Sequence, residues 1–397
     1  MLDKKHGALL FLNSAGMGLL APLTTLLLLE KEGVSLAVVP LILGLHSAVV
    51  VAFEVPSGMA ADRWGRKRCF LMSLILQLPA LGLLALGQSV AAAMAAMAFQ
   101  GLARAFSSGS LDALVVEEFL LKNGTEALPR CTARISALTS VGVAVGCLAG
   151  GGMYAISGRM WTPLALKGAV MLALLILSVG LTEHPVEHTE GGLNPVAQLI
   201  STLRGKGLVR ALVLWSAALA PPLFAVEVFY QPRFTELLGG GAAGWVLGAL
   251  GAGGSYAAAA GSVLGLRLVR RPTLRKLLSV TALLGAALAG LATAGTPALF
   301  VAAYFAFYVI IGGTDYLTST LMNEAAPPSQ RATLLSASSL ALQLGGMAAS
   351  PLFSAGTAMG TIPQVWLAAG GAVAAVMLVC VAAGARRAGY GNVLEDE

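Results

Sequence analysis

Six charged side chains lie inside otherwise apolar stretches of the sequence: Glu54, Arg104, Asp112, Lys167, Glu227 and Asp315. A charge at the centre of a bilayer costs at least about 2.5 to 3.5 kcal/mol, so such residues usually face the protein interior or a water-filled cavity. A carboxylate there can take up a proton when it is desolvated and release it when water returns. These side chains can therefore bind protons and charged or polar solutes.

The composition requires a membrane environment for these residues. Of 397 residues, 57% are hydrophobic and 11% are charged, and the mean hydropathy is +0.81. A soluble globular protein is far less apolar. Twelve membrane-spanning helices of about 20 residues need about 240 residues. The remainder suffices for short loops and excludes a large domain outside the membrane.

Charge-poor runs predict twelve helices in two sets of six. They fall at about 8–29, 36–57, 69–88, 90–114, 135–156 and 163–182, and at about 208–230, 243–266, 277–295, 297–320, 333–356 and 363–384. The longest polar stretch separates the two sets. We therefore expect an all-α membrane protein with one six-helix bundle at 1–182, a cytoplasmic linker at 183–206 and a second six-helix bundle at 207–397.

The basic residues predict the orientation. If the N-terminus is cytoplasmic, 20 of the 25 Lys and Arg residues lie on that side, three lie on the other and two fall within spans. Cytoplasmic loops of membrane proteins carry such an excess. Both termini are thus expected in the cytoplasm, and the net charge of +6 is explained without a nucleic-acid partner.

The stretch 58–68 after the second predicted span reads Gly-Met-Ala-Ala-Asp-Arg-Trp-Gly-Arg-Lys-Arg. It resembles the loop signature G-x-x-x-D-R-x-G-R-K/R of the major facilitator superfamily. A basic loop that only sets topology would not explain Asp62 between Gly58 and Gly65. The resemblance implies two pseudo-symmetric six-helix bundles. We expect the loop to govern conformational switching through Gly58, Asp62, Arg63, Gly65 and Arg66, with Glu117 as the acidic partner of Arg66.

Two further stretches resemble antiporters of that superfamily. In the fifth predicted span, Gly142, Gly146, Gly150 and Gly151 follow the pattern G-x-x-x-G-P-x-x-G-G, with Cys147 in the proline position. A glycine-rich packing face is the alternative reading. The fourth span, from Gln100 to Glu117, is similar to that of twelve-span drug:proton antiporters, although Met97 stands where those proteins often carry arginine.

In the resembled family, helices 1, 4, 7 and 10 line a central cavity. This implies cavity or substrate roles for the following residues: Asn13, Arg104, Tyr304, Tyr308, Glu227 and Asp315. Asp315 and Glu227 are the leading proton-coupling candidates, followed by Glu54 and Asp112. Glu54 and Asp112 can instead pair with loop arginines near helix ends, Lys167 can snorkel outward, and the tyrosines can simply pack.

Arg104 needs a partner because an isolated cation at that depth is costly. Asp112 lies eight residues further along the same helix, about 80° around it, which disfavours direct contact. Asp315 across the cavity is one alternative, and Glu54 within the same bundle is the other.

The sequence thus predicts proton-coupled export of a small amphipathic molecule by alternating access, and the excess of acidic charge favours a cationic or neutral substrate. Uptake or exchange of a polar metabolite is the alternative, and a receptor or enzyme is a remote one without catalytic residues. We expect a proton gradient rather than a cofactor, and no metal site, since His184 and His188 lack convergent ligands. The expected partners are substrate, protons and lipids, with a monomer in the plasma membrane, such as the bacterial inner membrane.

Overall fold

The computed structural model of the protein describes residues 3–108, 110–124, 128–181, 200, 204, 207–240, 244–325 and 331–388. These residues form fourteen α-helices, a 3-10 turn at Ala21–Leu23 and no strand. The helices are α1 (Lys4–Gly18), α2 (Thr24–Leu29), α3 (Val39–Trp64), α4 (Arg66–Leu86), α5 (Val90–Ser107), α6 (Ser110–Asn123), α7 (Leu128–Ser157), α8 (Trp161–Val179), α9 (Leu208–Leu237), α10 (Gly244–Leu268), α11 (Leu274–Thr293), α12 (Pro297–Ala325), α13 (Arg331–Met359) and α14 (Ile362–Ala388).

Ten helical segments of the described chain are long and apolar enough to cross a membrane, judged by length and composition. They coincide with the first ten predicted spans. The first combines α1 and α2, and the fourth combines α5 and α6. Helices α13 and α14 occupy the positions of the last two predicted spans. The all-α, multi-pass membrane class is confirmed.

The helices pack in two groups with matching internal pairs. In the first group, α1 packs on α7, α3 on α5, and α4 on both α5 and α8. In the second group, α9 packs on α13, α10 on α12, and α11 on both α12 and α14. The groups meet mainly where α7 contacts α10 and α3 contacts α13. All but residues 200 and 204 of the predicted linker 183–206 lie outside the described residues.

Small residues on α7 allow these close contacts. A Cβ on Gly142 would lie 2.7 Å from the Phe11 carbonyl oxygen, and Cβ atoms on Gly146 and Gly150 would overlap the α1 backbone. Gly151 faces the other way, where a Cβ would lie 2.8 Å from the Cα of Gly248 on α10. The glycine series therefore serves two interfaces, three positions within the first group and one between the groups.

Two predicted spans are broken rather than continuous. The predicted helix 8–29 is divided at Pro22, which has no N–H and whose ring clashes with the carbonyl four residues earlier. The fourth span is divided between α5 and α6. Asp112 therefore lies at the beginning of α6, and the expectation that it lies near a cytoplasmic helix end was wrong.

The loop predicted at 58–68 is almost entirely helical. Helix α3 continues to Trp64 and α4 begins at Arg66, so the turn consists of Gly65 alone, at a φ of 91° that favours glycine. Gly58 and Asp62 lie within α3, because polar side chains beyond the membrane are compatible with helix. Glu54 consequently lies ten residues before the end of α3 and is not near a helix end, contrary to expectation.

Gly150→Ala should lower the apparent melting temperature of the purified protein by a few degrees, because an added methyl group would force α1 away from α7 and overpacking costs about 1–3 kcal/mol. Gly152→Ala is the matched control, since a Cβ there meets nothing within 4 Å. Equal melting temperatures for the two variants would contradict the packing described here.

Candidate functional site

We call the side on which α1 begins and α3 ends the basic side, because it carries Arg63, Arg66, Lys67 and Arg68, and the opposite side the distal side. Glu227 lies on α9, ten residues from its distal end. Its side chain is exposed although Val226 and Val228 are fully buried. The tyrosines that interact electrostatically with Glu227 come from inside the protein, so Glu227 faces an internal space lined by protein and not the lipid.

That space opens toward the basic side. Arg104, Asp112 and Asp315 are exposed. On the same helices, residues closer to the distal side are buried, such as Met97 on α5 and Tyr304 on α12. On α1, Met17 is exposed between buried glycines, and Asn13 one turn earlier is half-buried. The exposed residues of α1, α5, α6, α9 and α12 thus outline a cavity that narrows toward Glu227.

An aromatic cluster surrounds the narrow end. The rings of Tyr230 and Tyr304 are 5.1 Å apart, and those of Tyr304 and Tyr308 are 4.9 Å apart. The rings of Tyr304 and Tyr308 are tilted by 55° to each other, so the two side chains pack together on one face of α12. A Cβ on Gly254 would lie 3.1 Å from the Tyr304 hydroxyl, so this glycine leaves room for the pair. Tyr308 is half-buried, but Tyr304 is only 2% exposed and packs in the core, so its expected cavity role is not met in this conformation.

Arg104 lies among the acids of its own group of helices. It is close enough to Glu54 and Asp112 for electrostatic interaction with both carboxylates. The ion pairs within 4 Å in the described part of the chain include none of Arg104, Glu227 and Asp315. The cavity therefore has two carboxylates that share one cation, Arg104, on one wall and two carboxylates without an ion-pair partner among the described residues on the other.

Lys167 departs from its expected position. It lies six residues into α8 and is 7% exposed, so it does not snorkel to the surface. Its charge and that of Arg104 both act on His46 of α3, which places Lys167 inside the first group of helices. The expectation failed because distance from a helix end says nothing about which face of the helix is buried.

The distal end of the cavity is closed by hydrogen bonds from α9 to the broken first span. The Gln231 side chain is 1% exposed. Its Oε1 accepts from the backbone N–H of Thr25 at 2.9 Å and of Leu26 at 3.4 Å, and its Nε2 donates to the Ala21 carbonyl at 3.0 Å. The first N–H groups of a helix have no partner within it. Gln231 therefore caps α2 from the other group of helices.

A second gap in helical hydrogen bonding lies in α9, and a side chain of α2 fills it. Pro232 has no N–H to donate to the Val228 carbonyl within α9. The Thr25 hydroxyl donates to that carbonyl at 2.8 Å. We call these contacts of Ala21, Thr25, Leu26, Val228 and Gln231 the distal seal.

The segment after α2 is also anchored. The Lys31 Nζ donates to the Leu84 carbonyl of α4 at 2.5 Å, and Lys31 is 6% exposed. Burial lowers the pKa of Lys31, and the adjacent Glu30 carboxylate opposes that shift. This contact fixes the distal end of α2 to the first group of helices.

Ion pairs hold α6 on the basic side. The Arg66 Nη1 lies 2.6 Å from the Glu117 Oε1, which is the pair expected from the sequence. Glu118 lies 2.8 Å from His6 Nε2 and 2.6 Å from the Lys122 Nζ. Asp3 approaches the other ring nitrogen of His6 at 3.6 Å. Because the two carboxylates face opposite ring nitrogens, His6 bridges Asp3 and Glu118.

Sequence reasoning missed Met17, Thr25, Gln231 and the buried position of Lys167. The prolines at 22 and 232 could have indicated the helix defects, since each frees a carbonyl group. No sequence pattern indicates that the two defects satisfy each other.

A multi-pass helical protein with two matching groups of helices, and with a charged cavity open on one side and sealed on the other, is a membrane transporter. The chain belongs to the Major Facilitator Superfamily, whose family model matches residues 7–350. It is a transporter and not an enzyme. No curated protein sequence matches it significantly.

Several solved structures share the fold. A variant of the nucleoside transporter NupG has a TM-score of 0.81 and 13% identity, covering 96% of this chain and 99% of that chain. The peptide transporter POT with sulfate has a TM-score of 0.74 and 15% identity, covering 97% and 95%. A bacterial homologue of the human lysosomal transporter Spinster, inward-facing and unoccupied, has a TM-score of 0.68 and 15% identity, covering 96% and 94%. At such identities the likeness concerns the fold alone.

Thr25→Val and Gln231→Leu should open the distal side. Each leaves a backbone group unpaired only in the sealed state, at a cost of about 1–3 kcal/mol. We expect a rise of about fivefold or more in labelling of Met17→Cys, in a cysteine-free protein, by a thiol reagent confined to the distal side. Thr24→Val is the matched control, because the Thr24 hydroxyl bonds only to Leu20 of its own segment. Similar labelling rates for Thr24→Val and Thr25→Val would count against the seal.

Asp62→Asn should abolish turnover while substrate binding in detergent stays near wild type, because Asp62 lies in the last turn of α3, outside the cavity. Glu236→Gln is a control that neutralises another exposed carboxylate, one paired with Arg233 on the distal side. Loss of binding by a folded Asp62→Asn protein would contradict a role in conformational switching.

Proposed function

We propose that the protein is a secondary active transporter of twelve helices, with both termini in the cytoplasm, that exports a small amphipathic cation or neutral molecule in exchange for protons. The positive-inside pattern assigns the basic side to the cytoplasm. The observation that carries the proposal is the position of Glu227, an exposed carboxylate at the closed end of a cavity that opens toward the cytoplasm. Domains at 1–182 and 207–397, joined by 183–206, are part of the proposal.

Glu227 can couple two ligands because its charge controls whether the cavity closes. Closing the cytoplasmic side would remove the carboxylate from water, and an uncompensated buried charge is costly. A proton or a bound cation removes that cost. Either ligand therefore permits the change of state, whereas the empty, charged carboxylate holds the cavity open, so influx of a proton and export of a cation can share one site.

Asp315 provides a second carboxylate nearer the cytoplasm, and Tyr308 lies between it and Glu227 along the cavity wall. In the opposite state, Asp315 is proposed to pair with Arg104 across the closed cytoplasmic side, where Arg104 would leave Glu54 and Asp112. Asn13 and Tyr308 contribute hydrogen-bonding groups to the cavity. Apolar neighbours such as Met17 suit an amphipathic substrate.

In this proposal the proton gradient supplies the energy for transport, and no cofactor takes part. The transporter is a monomer in the plasma membrane. The rival function is proton-coupled uptake or exchange of a polar metabolite. The two differ in direction, which everted vesicles loaded with candidate compounds would show.

Asp315→Asn and Glu227→Gln should uncouple substrate transport from an imposed pH gradient in proteoliposomes, because each removes a carboxylate that has no cationic partner. Glu54→Gln and Asp112→Asn are matched controls, since those two carboxylates interact electrostatically with Arg104. We expect gradient-driven accumulation to fall at least tenfold in the first pair and to persist in the controls. The reverse pattern would place coupling at Glu54 or Asp112.

A further inference from the structure

The two carboxylates without counter-ions stand in a fixed register along one wall of the cavity. Ring contacts set that register, because Tyr230 pairs with Tyr304 at 5.1 Å and Phe234 pairs with Phe300 at 5.4 Å between α9 and α12. Glu227 lies three residues from Tyr230 toward the basic side, and Asp315 lies eleven residues from Tyr304 in the same direction.

The axial separation follows from the helix rise. At about 1.5 Å per residue, Glu227 lies about 4.5 Å below the tyrosine pair and Asp315 about 16.5 Å below it, so the two carboxylates differ by about 12 Å in depth. Asp315 is about 20° around α12 from Tyr304, and Glu227 is about 60° around α9 from Tyr230, so each acid lies on the half of its helix that carries the paired tyrosine. They are too far apart to share one proton or one ammonium group.

Among the residues that the structure describes, no basic side chain forms an ion pair with either carboxylate of this wall. Helix α12 contains no Lys, Arg or His, and α9 contains none between Arg210 and Arg233. Arg104 on the opposite wall is already engaged by two carboxylates, those of Glu54 and Asp112. Tyr308 lies about 6 Å below Tyr304 on the same face and presents an aromatic ring beside Glu227. The wall therefore carries two separate negative positions joined by an apolar and aromatic surface.

We propose that the preferred substrates are linear dications, with two ammonium groups joined by an apolar chain, one bound at Glu227 and Tyr308 and the other at Asp315. This deepens the proposed function by naming the substrate class of the same cavity. Each ammonium group can lie inside the axial span of about 12 Å between the carboxylates, so the nitrogen atoms are expected about 9 to 11 Å apart along the wall. An extended chain with carbon–carbon bonds of about 1.5 Å reaches that span with about six to eight methylene groups.

The test is equilibrium binding of alkane-bis(trimethylammonium) ions to the purified full-length protein in detergent, without a pH gradient. Each dication is compared with the alkyltrimethylammonium ion of the same chain length. We expect the dication to bind about tenfold more tightly at six to eight methylene groups and less than threefold more tightly at three. Asp315→Asn should abolish the difference and Glu227→Gln should weaken both ligands. Glu236→Gln, which neutralises a carboxylate on the distal side outside the cavity, should keep the wild-type ratio.

The deciding quantity is the ratio of the affinity of the dication to that of the monocation of the same chain length. If this ratio does not depend on chain length, or if Asp315→Asn leaves it unchanged, the dication assignment is wrong. These outcomes are separate from the proposed function, because binding is measured without transport. If the length preference holds while transport ignores the pH gradient, proton coupling fails and the substrate class stands. If transport is proton-coupled but the ratio of dication to monocation affinity is the same at every chain length, only the proposed substrate class is wrong.

Discussion

The distal seal rests on two proline defects that satisfy each other. Pro22 divides the first span and leaves the N–H groups of α2 without helical partners, and Pro232 leaves the Val228 carbonyl without a donor. The Gln231 side chain supplies an acceptor for α2, and the Thr25 hydroxyl supplies a donor for the Val228 carbonyl of α9. These hydrogen bonds are buried between the two groups of helices. A buried unpaired backbone group is costly. The distal seal is therefore stable only when the two groups of helices meet in this register. When they separate, water must replace each of these hydrogen bonds.

The position of Glu227 links the seal to the cavity. Glu227 precedes Gln231 by four residues, about one helical turn or 6 Å. In the proposed function, neutralising Glu227 removes the charge that keeps the cavity hydrated, and the same turn of helix carries the side chain that caps α2. Under that proposal, ligand binding and opening of the seal act on one segment of α9, with no need for a long path of coupled residues.

The sequence predicted the class of fold well and the local geometry less well. Span positions follow from apolar length, so ten described segments coincide with ten predicted ones. The pair Arg66–Glu117 was also predicted, since Glu117 follows the fourth predicted span on the side where Arg66 lies. The loop at 58–68 was wrong because polar composition does not end a helix, whereas Gly65 does. Lys167 was misplaced because depth along a helix does not determine its buried face. The roles of Gly58, Asp62 and Arg63 stay predictions.

The register between α9 and α12 and the pairing of the two helix defects depend on contacts between residues far apart in sequence. Periodicity within one helix cannot supply them. The charges that lack counter-ions, Glu227 and Asp315, were nevertheless visible in the sequence, because acidic residues without basic neighbours in an apolar span have few structural explanations. What the structure adds is their common wall, their order along it and the seal beyond them.

The central claim is that the charge of Glu227 controls the seal. It is tested most directly by spin-label distances measured across the distal side, between labels at Glu30 and Glu236, in wild-type protein and in Glu227→Gln. Glutamine mimics the protonated carboxyl group. We expect wild-type protein at neutral pH to show the short, sealed distance and Glu227→Gln to populate a longer one without substrate or a pH gradient. If Glu227→Gln and wild-type protein show the same distances across the pH range, the charge of Glu227 does not control the seal and the account is wrong.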